Sequence, residues 1–373
     1  MNRVVIIGNG FDLAHGLKTS YAEFISRYWQ NTAQKLASCN LLRYEDEFII
    51  CGYNNITPEL RLRSQGLALD LFDDILYTPV KSRRDIEEHI KAHSTRVTLR
   101  AKSTFFDNIN NSVETKNWVD IENEYYSLLK SIEENGLSQG ACELNNELEK
   151  IKIALIEYLH SINAQISENM MISSISEQIF APFNECDIAT KSLTSLSSIF
   201  RQNSKSFTPN SILLLNFNYT NTAALYTKGS QNISINHIHG SLDNPESIIF
   251  GYGDEIDDGY KKIVNLNDNN FLSNIKTFKY LERDNYRKLL QTLDSMPFQV
   301  YIMGHSCGNS DRTLLHTIFE HPNCFSIKPY YHLREDGSDN YNDIVQNISR
   351  NFSDMVLMRD RVVNKLFCKP LVF

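Results

Sequence analysis

Asn236-His237-Ile238-His239-Gly240-Ser241 places two imidazoles two residues apart at the end of an apolar run. If that run is a strand, His237 and His239 share a face. So placed, they could share a metal ion, with an Asp or Glu completing the set. Alternatively His239, beside a flexible glycine, is a general base, because an imidazole titrates near neutrality. Just upstream, Leu213-Leu214-Leu215-Asn216-Phe217-Asn218-Tyr219-Thr220 is an apolar run that turns polar. Asn216 and Asn218 face one side if the strand persists. Amides there could hold a sugar or a base by hydrogen bonds. The plainer account is an asparagine-rich turn with local backbone bonds.

Two glycine loops could complete such a site. Gly8-Asn9-Gly10-Phe11-Asp12 follows the apolar run Val4–Ile7 at once. Glycines there permit a sharp turn and close approach of a phosphate or ribose, and a tight strand-to-helix turn is the alternative. Leu13 stands where a full dinucleotide fingerprint has its third glycine, and no Gly-Lys-Ser/Thr of a P-loop occurs. Asp12 could cap a helix, bind a ribose hydroxyl or orient water. Gly304-His305-Ser306-Cys307-Gly308 follows Val300–Met303 and precedes the helical Leu314–Phe319. Its Gly-x-Ser-x-Gly spacing admits a Ser306 nucleophile served by Asp311 with His321 or His332. That reading ranks below nucleotide binding, because it leaves the first glycine loop unexplained. Asp311 binds ribose or caps the next helix, with capping preferred.

These residues need a sheet to bring them together. Val4–Gly8, Ile212–Phe217, Ile233–Ile238, Ile248–Phe250, Val300–Met303 and Phe325–Tyr331 read as strands buried on both faces. Helical stretches separate them, which predicts an α/β, mostly parallel sheet with helices on both sides. In such sheets ligands collect outside the carboxyl ends of the strands, where both glycine loops would lie. From Ser20 to Asn203 the periodicity is helical. Leu144, Leu148, Ile151, Leu155, Leu159, Ile162 and Ile166 form the longest stripe, read as bundle core. Ser20 with Glu23 forms a capping box, while Ser173–Ser176 and Ser192–Ser206 read as loops. The expected organisation is a Rossmann-like nucleotide-binding core of residues 1–19 and 205–373, with residues 20–204 as a large helical insertion after the first strand unit. Asp120, Glu122 and Glu124 near Trp118 read as a solvated helix start, whose dipole favours acids.

Composition narrows the partners. The 373 residues carry a net charge of −8, which disfavours a broad surface for duplex nucleic acid. No apolar stretch reaches the length of a membrane span, and the opening run is too short for a signal peptide. Seven scattered cysteines without a Cys-x-x-Cys pair suit reduced thiols in a cytoplasm.

The segment Val5 to Leu17 with Thr19-Ser20-Tyr21 resembles the opening of the AbiH family of phage abortive-infection proteins. Trp118-Val119-Asp120-Ile121-Glu122, Asn216–Thr220, His237–Gly240 and Gly304-His305-Ser306 with Asp311 resemble its later motifs, in the same order. That resemblance raises Trp118, Asp120, Glu122 and His237 to accessory site candidates and implies abortive phage defence. A more distant resemblance is to sirtuin-type NAD-consuming domains, which implies a Rossmann-like (SIR2/DHS-like) core. Carried over, Gly8, Asn9, Gly10 and Phe11 hold NAD, Asn218 positions ribose or water, and His239 is the base. Gly304 with Ser306 matches the later nucleotide-binding turn; Asn216, Thr220, Gly240, His305 and Asp311 are further nucleotide-lining candidates, and Asp12, which stands near where that pattern has small residues and a serine, joins Asn218 and His239 as a catalytic candidate. Thr220 stands where that pattern has an Asp, and the four-cysteine zinc module is missing. The implied activity is hydrolysis of NAD⁺ to nicotinamide and ADP-ribose with no metal. A phage-derived trigger and a regulated homo-oligomer are expected by analogy. The alternatives are a nucleotide-sensing module without turnover, and a metal-dependent phosphoesterase or nuclease using His237, His239, Asp12 and Asp311.

Overall fold

A computed structural model describes residues 1–38, 43–53, 72, 75, 77, 79–116, 120–136, 138–189, 192, 194 and 207–372. The strands are β1 (Asn2–Ile7), β2 (Arg43–Glu45), β3 (Ile49–Tyr53), β4 (Val97–Ala101), β5 (Ile212–Asn216), β6 (Ile233–His237), β7 (Phe298–Met303) and β8 (Cys324–Tyr330). Five of them form one parallel sheet in the order β6-β5-β1-β7-β8. Their apolar runs are continuous because both faces are covered. Val4, Ile6, Leu215 and Ile302 pack on one face with Leu289, Leu315 and Ile348 from three helices. Val5, Ile7, Leu214 and Met303 pack on the other with Phe11, Ile175 and Ile179 from two more. The fold is α/β and Rossmann-like. Chain order runs outward from β1 through β5 to β6, then returns to β7 on the far side of β1. The strand order therefore reverses between β1 and β7, and a crevice is expected at their carboxyl ends.

The chain divides into two compact units, residues 1–19 with 156–373, and residues 20–155. The second boundary thus lies near residue 155, whereas the sequence placed it near 204. Ile175 and Ile179 explain the difference, since they belong to the core on the sheet. Ser173–Ser176 is not a loop but the first turn of the helix Ser173–Phe180, whose i, i+4 isoleucines bury its inner face. The stretch 192–206 lies almost wholly outside the described residues. In the unit 20–155 the structure adds a small antiparallel sheet, β2-β3-β4, to the expected helices. The helix Tyr21–Ala37 starts at the expected capping box of Ser20 and Glu23. The stripe from Leu144 to Ile162 is buried.

Two strand expectations need correction. Ile248–Phe250 is buried loop. The Ile249 amide donates to the His239 carbonyl and its carbonyl accepts from the Tyr219 hydroxyl, so no ladder forms. A run of three apolar residues does not by itself distinguish a strand from a buried loop. β5 and β6 also stop at Asn216 and His237, so Asn218 and His239 stand on loops and strand alternation does not set their directions.

Candidate active site

At the carboxyl ends of β1 and β7 the two glycine loops cross in contact. A Cβ on Gly304, whose φ is +75°, would lie 2.0 Å from the Phe11 nitrogen. One on Gly8 would lie 2.5 Å from the His305 Cα. Glycine is thus needed for close approach of protein backbone. The Gly8, Gly10 and Phe11 amides donate to the carbonyls of Met303, Gly304 and Gly8. Those three N–H groups are occupied within the protein and do not form an open phosphate cradle. The Asn9 side chain accepts from the Thr19 hydroxyl at 2.6 Å, and Phe11 lies in the core.

Beside this crossing sits a carboxylate with one idle oxygen. Gly8 occupies the N-cap of the helix Asn9–Ala14, so Asp12 is inside the helix and does not cap it. Its Oδ2 accepts from the Thr220 hydroxyl at 2.6 Å, while its Oδ1 is buried with no hydrogen-bond partner. Burial pushes the Asp12 carboxyl up to about 6, and the Thr220 hydroxyl offsets part of that rise. Asn218 ties the loop after β5 to the first glycine loop, donating from Nδ2 to the Gly8 carbonyl at 3.0 Å. Asn216 instead makes local bonds, accepting from the Asn218 amide and donating to the Thr220 carbonyl. The local-turn account therefore holds for Asn216, and Asn218 reaches across the sheet edge.

A second polar group borders Phe217, whose ring meets both His239 and His305 edge-on. Asp311 is its hub. Oδ1 lies 2.8 Å from Lys276 Nζ and 3.3 Å from His239 Nε2, and Oδ2 lies 3.5 Å from His305 Nε2. His239 Nε2 is also 3.0 Å from the Tyr280 hydroxyl, and the two rings stack. His305 Nδ1 accepts from the Cys307 amide, so its proton is on Nε2, facing Asp311. Burial tends to raise the Asp311 carboxyl, but the Lys276 ammonium and His239 prevail and hold it well below the usual range. Burial, then the Lys276 charge, pushes the His239 imidazole down.

Asp311 occupies the N-cap of the helix Arg312–Phe319 without any side-chain capping bond, contrary to the capping preference. Its carboxylate turns inward because Lys276 offers a full charge, which an exposed cap does not. Lys276 and Tyr280 were not foreseen. They lie one helical turn apart on Lys276–Leu281, and their spacing was the one available signal. Ser306 is exposed, and the positive φ values of its loop fall at Gly304 and Cys307, so no strained nucleophile elbow forms at Ser306. His321 pairs with Asp294 and His332 is exposed, so neither serves Ser306.

His237 and His239 do not share a partner. Asn216 Nδ2 approaches His237 Nδ1 at 3.3 Å, while His239 faces Asp311 and Tyr280. Among the described residues no three His, Cys, Asp or Glu side chains are grouped to hold a metal ion. An open cleft of about 380 Å³ borders His237, Gly240, Ser241, Arg283 and Asn285. Asp120 caps the helix Ile121–Glu134 by accepting from the Asn123 amide, and Glu122 is buried. Both belong to the unit 20–155, and Trp118 lies outside the described residues. No described helix is long and apolar enough to cross a membrane.

Residues 4–332 match the family described as bacteriophage abortive infection AbiH. No curated protein and no solved structure matches the chain.

Proposed function

This chain belongs to the AbiH family of bacteriophage abortive-infection proteins, and we propose that it acts in that defence by hydrolysing NAD⁺ to nicotinamide and ADP-ribose. The observation that carries this reading is a convergence. Asp12, Asn218, His239 and His305 come from four separate segments and meet at the carboxyl edge of the sheet, where its strand order reverses. Nucleotides bind at that position in open α/β sheets. The resemblance to sirtuin-type domains calls for an acid at position 220. Thr220 donates instead to Asp12, which supplies a carboxylate to the same spot.

In this proposal the unpartnered Asp12 oxygen holds a ribose hydroxyl, and Asn218 positions the ribose or the attacking water. His239 takes the water's proton as the new C–O bond forms and the bond to nicotinamide breaks with its electron pair. Loss of NAD⁺ then starves the infected cell. Free nicotinamide should appear when the purified protein meets NAD⁺ and a phage lysate, and Asn218→Ala should abolish it. Absence of turnover with every lysate that triggers defence in cells would sink the proposal.

The burial of His239 and Asp311 favours a second reading, a nucleotide sensor without turnover. It differs in one outcome: NAD⁺ raises the melting temperature, and no nicotinamide forms.

A further inference from the structure

We propose that Lys276 is a positioning residue that carries the positive charge of the Asp311 cluster, leaving His239 neutral and able to accept a proton. The catalytic consequence rests on the hydrolase reading, whereas the charge assignment does not.

The argument starts from burial. Lys276 is 1% exposed, His239 4% and Asp311 8%, so these groups share a nearly dry volume. Uncompensated charge there is costly, and one carboxylate balances one cation. Three nitrogen bases compete to be that cation. Lys276 Nζ and His239 Nε2 approach the same oxygen, Asp311 Oδ1, at 2.8 and 3.3 Å. His305 Nε2 approaches the other oxygen at 3.5 Å, and its proton position is already fixed by the Cys307 amide. An amine is intrinsically more basic than an imidazole by roughly four pH units. Lys276 is also the nearest of the three, so it takes the charge and His239 remains neutral.

The other groups facing His239 agree with this count. Tyr280, from the same helix as Lys276, brings a hydroxyl to Nε2 and is neutral. Phe217 closes another side of the ring. The Cys307 thiol in the Asp311 loop is buried, which disfavours its thiolate. The His239 carbonyl accepts from the Ile249 amide, which fixes the main chain. Lys276 itself is anchored, since its amide donates to the Tyr252 carbonyl.

The test is ¹⁵N NMR of the histidine imidazoles in the full chain. In wild type, His239 should show the neutral pattern at pH 7 and titrate below the ordinary imidazole range. Lys276→Met should transfer the cation to His239 and raise its titration midpoint by at least about one pH unit, a tenfold gain in proton affinity. Lys276→Arg should keep His239 neutral. The double variant Lys276→Met/Asp311→Asn removes both charges together and should also keep it neutral. A purely structural lysine would give no such pattern of loss and rescue. An imidazolium at His239 in wild type, or a neutral one in folded Lys276→Met, would overturn the assignment. If Lys276→Met does not fold, wild type decides alone. Failure of nicotinamide release with the NMR pattern intact would reject hydrolysis and leave the charge assignment standing.

Discussion

Two buried ionic clusters occupy opposite ends of the same sheet, and their chemistry differs. At the amino end Arg3 donates from Nη1 to the Ile179 and Ala181 carbonyls and lies over the rings of Tyr301 and Phe183. Lys328 bonds both oxygens of Asp187 at 3.0 and 2.9 Å, and Gln299 bridges to Ser326. Arg, Lys and Asp there are side chains whose ordinary titration lies far from neutrality. At the carboxyl end the cluster holds two imidazoles, and nearby Asp12 has a carboxyl pushed up to about 6. Both clusters bear the desolvation cost of buried charge. The amino-end cluster uses it to pin the segment 179–187 to the sheet. The carboxyl-end cluster sets two imidazoles beside a buried carboxylate and a buried ammonium.

Removing an anion from the clamp should have the largest effect. Asp187→Ala leaves Lys328 buried and unpaired, at a cost of about 3–5 kcal/mol. Chemical denaturation should show that loss, and the His239 titration should not move. A shifted His239 midpoint would mean that the clusters are coupled. Next comes the loop crossing. Gly304→Ala must accept a positive φ and push the loops apart, so about 2–4 kcal/mol should be lost. A wild-type midpoint in denaturant would show that the loops yield without strain.

Asp12→Asn sharpens the contrast with a change of sign. The folded Asp12 carboxyl lies near 6, above its unfolded value. Its contribution to stability is fully present below the unfolded value, near pH 4, and is lost as pH rises through about 6. At pH 7.5 the wild type therefore holds a poorly solvated carboxylate. The amide variant should be more stable there by about 1–2 kcal/mol, with a flatter melting profile between pH 4 and 7. It should also lose nicotinamide release. A variant less stable at pH 7.5 would show that the carboxylate is better satisfied than its unpartnered oxygen indicates. The smallest effect belongs to Ser306→Ala. The side chain is exposed, so stability should change by less than about 0.5 kcal/mol and phage protection should persist. Loss of protection would revive the nucleophile reading.

Local patterns made the scaffold legible. Val4–Ile7, Ile212–Leu215 and Val300–Met303 are long enough apolar runs to mark buried parallel strands. Ser20 with Glu23 marked a helix start, because capping is a contact between residues three apart. Ile248–Phe250 failed as a strand because burial alone does not decide backbone pairing. Ser173–Ser176 failed as a loop because serine composition outweighed the Ile175 and Ile179 spacing.

What the sequence by itself determined is the five strands of the parallel sheet, the glycines after β1 and β7, and the histidine and asparagine that follow β6 and β5. Short-range periodicity and the special freedom of glycine are enough to specify those. Tertiary structure alone decided the partners: Thr220 on Asp12, Lys276 on Asp311, Asn218 on Gly8. Each of those pairs spans segments that meet only when the sheet has assembled. Whether a carboxylate is solvated, capping or buried beside a cation depends on the neighbours that folding delivers, and on the dryness they share.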